Sequence, residues 1–184
     1  MTLTVANQLT LLRMLLIPAF VILVLYDRPG WALLTFGVAG ITDALDGLIA
    51  RRAGQRTKLG ALLDPMADKL LLVSTFIVLT VPGTGMVNRF PLWLTILVIS
   101  RDVVIVLTVA IISLAIGPRT FEPSLYGKLA TGVYIVTCII TLYFNYLEQT
   151  SILVGLAVYA TLAITLVSGI HYIAHAARVI NQPQ

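Results

Sequence analysis

The sequence predicts an all-α fold: a polytopic integral membrane protein with six transmembrane helices and an active site near the cytoplasmic side. Three observations carry that expectation. Of 184 residues, 59% are hydrophobic and 11% charged, whereas a soluble domain carries about 25% charged residues. Apolar runs near the roughly 20 residues needed to cross a bilayer recur six times between turn signals. Finally, Asp43, Asp46, Asp64 and Asp68, half of the eight acidic residues, fall within two of those runs.

The expected spans are 9–26, 31–52, 59–82, 92–116, 124–147 and 152–177. Turn-forming residues separate them: Asp27-Arg28-Pro29-Gly30, Gly54-Gln55-Arg56, Pro82-Gly83-Thr84-Gly85, Gly117-Pro118-Arg119 and Leu147-Glu148-Gln149. Pro18 and Pro65 lie inside spans, and Pro65 is expected in the first two turns of its helix, where a missing N–H costs least. The length leaves no room for a separate soluble domain, so residues 1–184 are read as a single membrane domain. Cys138 is the sole cysteine, which excludes an internal disulfide and leaves it a small apolar helix residue. The net charge of +4 suits anionic membrane lipids and phosphorylated substrates. No basic tract points to nucleic acid. The N-terminal MTLTVANQ lacks a basic n-region, so it is expected to be retained.

Cations set the expected orientation. Arg51, Arg52, Arg56 and Lys58 crowd the turn between spans two and three, with Arg119 and Arg178 on the same side and only Arg28 and Arg89 opposite. By the positive-inside rule both termini are cytoplasmic, in what is expected to be a bacterial inner membrane. Tyr26, Trp31, Trp93, Tyr143 and Tyr146 lie near span ends, as an aromatic belt would.

A lone carboxylate at bilayer depth costs several kcal/mol, roughly 3 on insertion scales. Helical spacing decides whether four can share a solution. Asp43, Asp46, Gly47 and Ala50 stand at i, i+3, i+4 and i+7, and Gly60, Asp64 and Asp68 at i, i+4 and i+8, each set on one helix face. A short turn makes the two helices antiparallel neighbours, so all four carboxylates can converge. An oxygen-only donor set favours Mg²⁺, Mn²⁺ or Ca²⁺, and four carboxylates are enough for two metals. Gly47, Ala50 and Gly60 keep one edge free of side chains, although small residues such as Ala39, Gly40, Ala44 and Gly47 also permit close helix packing and a homodimer. Arg51, one turn beyond Gly47, adds a fork-shaped phosphate binder. Diphosphate with divalent metal is the ligand this chemistry asks for.

The run D-x2-D-G-x2-A-R-x8-G-x3-D-x3-D, carried by Asp43, Asp46, Gly47, Ala50, Arg51, Gly60, Asp64 and Asp68, resembles the signature of the CDP-alcohol phosphotransferase family at every defined position. The resemblance implies a membrane enzyme that displaces CMP from CDP-diacylglycerol with an acceptor hydroxyl. It further implies that the first three aspartates hold two divalent cations (Mg²⁺ or Mn²⁺). Asp68 would complete the site as general base, with Gly47, Ala50, Arg51 and Gly60 lining the nucleotide pocket.

The acceptor is less plainly written. Arg101, beside Asp102 in ISRDVVIV, and Lys128, in the Pro123–Thr131 run, are the candidate acceptor-binding residues, with an Arg101–Asp102 structural pair as the plainer reading. Asn7, Thr10 and Arg13 resemble the N-x2-T-x2-R of phosphatidylglycerophosphate synthases. Those enzymes place further cations where this chain has Val109 and Ala130. AGITDALDGLIAR, GQRTKLGALLDPMADK, ISRDV and P-S-x3-K-x2-T are similar to eukaryotic-type cardiolipin synthases, whose acceptor, phosphatidylglycerol, carries only a phosphodiester. The expectation therefore leans toward phosphatidylglycerol over glycerol 3-phosphate.

Two other classes bind ions or diphosphates through membrane aspartates. Aromatic prenyltransferases are longer and lack Gly47, Arg51 and Gly60 at these offsets. A cation transporter or channel gains nothing from Arg51, Arg52, Arg56 and Lys58 crowding its mouth. His171 and His175, at i and i+4, could bind zinc but have no evident third ligand.

Overall fold

The computed structural model describes residues 5–53, 58–116 and 125–180, which form α1 (Val5–Leu25), α2 (Pro29–Ala53), α3 (Lys58–Thr80), α4 (Leu92–Ile116), α5 (Leu125–Tyr146) and α6 (Ile152–Ile180). The protein is all-helical, as expected. The largest departure is the start of α1, at Val5 rather than 9, because Asn7 and Gln8 continue the helix without any apolar signal. Pro65 stands one residue past the first two turns of α3, so it removes a ladder hydrogen bond rather than an unused N–H. Among the described residues, three helical stretches are long and apolar enough to cross a membrane: Gln8–Leu25, Leu125–Tyr146 and Ile152–Ala174.

The helices expose many large apolar side chains and bury many polar ones alongside an apolar core. Leu15, Ile22, Ile41, Ile77, Leu107, Leu114, Ile152 and Ile170 are exposed, whereas Thr10, Arg13, Thr75, Thr137, Thr141, Asn145, Thr161, Thr165 and Ser168 are buried. Water would penalise such a surface, and lipid does not. Tyr26, Trp31, Trp93, Tyr143 and Tyr146 are all exposed, which suits an aromatic belt. Cys138 is buried.

The chain divides into two compact units, residues 1–89 with 138–151 and residues 90–137 with 152–184. In the first, α1 packs along both α2 and α3. Thr10, Arg13, Phe20 and Val24 form its buried stripe; Ala32, Phe36, Ala39 and Thr42 form that of α2; Ala67, Leu71, Thr75 and Leu79 form that of α3. Each stripe follows the three-to-four-residue period of one helix face. Phe20 and Phe36 meet with ring centroids 5.8 Å apart, while Ala32, Ala39 and Ala67 let backbones approach closely.

The ends of α1 and α5 are built alike. Arg28 N–H donates to Leu23 C=O (2.9 Å) and Asp27 N–H to Val24 C=O (3.1 Å); Gln149 N–H donates to Phe144 C=O and Glu148 N–H to Asn145 C=O, both 3.1 Å. These are Schellman caps, with Asp27 (φ 55°) and Glu148 (φ 53°) in the left-handed position usually given to glycine. Pro29 then opens α2 where a missing N–H is harmless. The two turns need small neighbours: a Cβ on Gly85 would sit 2.6 Å from Asp27 Cγ, and one on Gly30 would sit 2.8 Å from the Tyr146 ring. Asn145 locks the loop after α3 to α5, accepting Asn88 N–H at 2.7 Å and donating to Asn88 C=O at 3.0 Å.

In the second unit α4 packs on α6. The first part of α5 meets α6 through buried hydroxyl pairs, Tyr134–Thr165 (2.7 Å) and Thr137–Thr161 (2.8 Å). Hydroxyls replace the hydrophobic drive that lipid cannot supply between helices.

Asn145→Ala leaves a buried backbone donor and acceptor of Asn88 without their side-chain partner and should cost about 2–6 kcal/mol, at about 1–3 for each group. Thermal unfolding in detergent should show an apparent Tm several degrees below wild type.

Candidate active site

The described carboxylates converge on a cation from a third helix. Asp43 lies on α2 and Asp68 on α3, and the guanidinium of Arg13, on α1, bridges them. Arg13 Nη2 lies 3.0 Å from Asp43 Oδ1 and Nη1 lies 2.6 Å from Asp68 Oδ1. The Arg13 side chain is 0% exposed, whereas both carboxylate side chains are 44% exposed. A buried charge requires such pairing, and the bidentate fork of arginine suits two acceptors. The guanidinium thus forms the closed back of the site and the carboxylates its open face.

Asp46, Gly47, Ala50 and Arg51 lie on α2, and Gly60 and Asp64 on α3, as the spacing requires; their side chains lie outside the described residues. The basic turn residue Arg56 lies outside them entirely. Among the described residues no group of three His, Cys, Asp or Glu is poised to hold a metal. The two described donors, Asp43 and Asp68, are hard carboxylate oxygens from adjacent elements drawn to one point, and that donor chemistry fits a divalent cation.

Sequence reasoning missed the role of Arg13. It had noted the residue only as part of an N-terminal pattern. A lone arginine in an otherwise apolar span was the available signal, because such a charge demands an intramembrane partner.

Arg101 and Lys128 belong to the second unit. Arg101, on α4, donates from Nη1 to Asp102 Oδ1 at 2.8 Å and from Nη2 to the Ser168 hydroxyl on α6. Its side chain is 12% exposed and that of Asp102 19%. The pair expected as the plainer reading is therefore present within α4, and the Arg101–Ser168 bond ties α4 to α6. Lys128 is exposed in the first turn of α5. Ala130 is fully buried, leaving an apolar position where the glycerol-phosphate pattern has a cation. Beside Arg101 a groove of about 260 Å³ between α4 and α6 is lined by Leu97, Val104, Ile105, Leu166, Ile170 and Tyr172 among others. His171 lies against the Tyr126 ring, centroids 4.5 Å apart; the side chain of His175 lies outside the described residues. A further cavity of about 650 Å³, lined by Asp27, Arg28, Trp31, Tyr146 and Glu148 among others, opens at the end of α1 remote from Arg13.

Comparison with known proteins bears on this arrangement. Residues 3–169 match the family described as CDP-alcohol phosphatidyltransferase. A probable phosphatidylglycerophosphate synthase of Mycobacterium tuberculosis is 35% identical over 96% of this chain and 83% of the relative. A cardiolipin synthase (CMP-forming) of Streptomyces coelicolor is 39% identical over 60% of this chain and 52% of the relative. The human cardiolipin synthase (CMP-forming) is 33% identical over 79% of this chain and 53% of the relative.

Arg101→Leu or Asp102→Leu removes one half of a partly buried ion pair and should destabilise the protein by about 1–3 kcal/mol. The double replacement should cost much less than the sum, as a double-mutant cycle of thermal unfolding in detergent would reveal.

Proposed function

The chain belongs to the CDP-alcohol phosphatidyltransferase family, and from that premise we propose that it transfers phosphatidyl from CDP-diacylglycerol to phosphatidylglycerol, giving cardiolipin and CMP. Membership makes it an integral membrane enzyme whose substrates are a CDP-alcohol and an alcohol acceptor. The observation that carries the site is the convergence of Asp43 and Asp68 on Arg13.

In this reading Asp43, Asp46, Asp64 and Asp68 hold two divalent cations, Mg²⁺ or Mn²⁺. The cations supply charge neutralisation for the diphosphate and the departing CMP. Arg51 binds phosphate oxygens, and Gly47, Ala50 and Gly60 let the nucleotide approach the backbone. Asp68, half-exposed, accepts the proton of the attacking hydroxyl. The hydroxyl oxygen forms the new bond to the phosphatidyl phosphorus as the phosphorus–oxygen bond to CMP breaks. Arg101 and Lys128 are the candidate acceptor-binding residues. The whole chain, 1–184, works as one domain with six membrane spans and both termini cytoplasmic, in a bacterial inner membrane.

Buried Ala130 supports phosphatidylglycerol, because a phosphodiester needs fewer cations than a dianionic phosphate. A second reading, phosphatidylglycerophosphate synthase using glycerol 3-phosphate, is favoured by the mycobacterial relative, which matches nearly the full chain.

Reconstituted protein supplied with CDP-diacylglycerol and Mg²⁺ or Mn²⁺ should release CMP with phosphatidylglycerol. Release only with glycerol 3-phosphate would establish the second reading instead, and EDTA should abolish release in either case. Asp68→Asn should lower turnover by at least about 10²-fold, the scale of lost general-base catalysis, while still folding and binding CDP-lipid. Wild-type-like turnover in that variant would remove Asp68 from the mechanism.

A further inference from the structure

The aspartate spacing explains why carboxylates of α2 and α3 can converge, but not why a fully buried arginine from α1 meets Asp43 and Asp68. Three helices of one compact unit contribute to this contact: Arg13 from α1, Asp43 from α2 and Asp68 from α3. Two carboxylates brought to one point repel each other, and solvent at their half-open side chains screens that repulsion only in part. Divalent cations relieve that repulsion only once they are bound. Arg13 provides a positive charge that never leaves, placed on the closed side, 0% exposed, while the carboxylates keep 44% of their side chains open. Its fork reaches both helices at once through separate nitrogens, which a compact ammonium cannot do in the same way.

Resting on the reading of Asp43 and Asp68 as metal-site carboxylates, we infer that Arg13 is the resident counter-charge of the site. It is a positioning residue that holds the carboxylates together before divalent cations enter and shares them afterwards. Sharing has a definite sign. Guanidinium and metal are like charges at short range, so Arg13 weakens cation binding while keeping the empty site assembled. Removing its charge should tighten metal binding and make the fold dependent on metal. Keeping its charge but not its fork should preserve metal affinity and disturb the geometry of catalysis.

Two variants in detergent or nanodiscs test this, with Mn²⁺ alone as probe. Arg13→Gln should bind Mn²⁺ about tenfold or more tightly than wild type by electron paramagnetic resonance titration. It should lose several degrees of Tm without Mn²⁺ and recover most of the loss at saturating Mn²⁺. Arg13→Lys should bind Mn²⁺ within about threefold of wild type. Its kcat for CMP release should fall about tenfold or more with KM for CDP-lipid little changed. Mn²⁺ affinity in Arg13→Gln equal to or weaker than wild type would overturn the inference, as would an equal Tm loss with and without the metal. Folding of Arg13→Gln only when Mn²⁺ is present would support it, and failure to fold even then would overturn it. A wild type that binds no Mn²⁺ would bring down the metal reading itself, an outcome distinct from any difference between variants.

Discussion

A guanidinium sealed from water has to be neutralised where it stands, and Arg13 is neutralised by Asp43 and Asp68. That constraint organises the first compact unit. It fixes which face of α1 turns inward, because Thr10, Phe20 and Val24 share the stripe of Arg13. It sets the rotation of α2 and α3 about their axes, because each must aim one aspartate at the same point. Ala39 and Ala67, fully buried nearby in sequence, remove the bulk that would hold the helices apart. The apolar packing of Phe20 on Phe36 is compatible with several rotations; the ion pairs select among them.

The second unit answers the same solvent problem with weaker groups. Apolar side chains gain little by leaving lipid for a helix interface, so specificity passes to hydrogen bonds. The Tyr134–Thr165 and Thr137–Thr161 pairs and the Arg101–Ser168 contact occupy positions that a soluble core would give to leucine or valine. Such bonds average about 0.6 kcal/mol in measured membrane cases, so they choose a register more than they stabilise it. The Arg101–Asp102 pair stands apart in this respect, since it joins two full charges in a partly buried setting.

Much of this was legible in the sequence. Helix count and bounds followed from apolar runs of bilayer length interrupted by Pro, Gly and charged turns, and α4 coincides with the expected 92–116. Helical spacing put Asp43 and Asp68 on faces able to converge, and both reach the Arg13 guanidinium. The approach of α1 was not legible, because spacing within one helix says nothing about which third helix supplies the counter-charge. Asn145 was also silent, since a single polar residue near a span end reads as solvated until a loop folds onto it. The start of α1 was misjudged because periodicity detects apolar faces, whereas Asn7 and Gln8 need only helical backbone.

The caps of α1 and α5 show where the molecule is not optimised. Aspartate or glutamate at a helix carboxyl end opposes the backbone dipole, and the left-handed conformation adds a steric penalty that glycine escapes. Asp27 at least packs its carboxylate against Gly85. Glu148, also left-handed at φ 53°, is exposed at the corresponding place. That turn is accordingly an engineering handle: a glycine or asparagine at 148 would raise thermal tolerance while leaving Arg13 and its two carboxylates untouched.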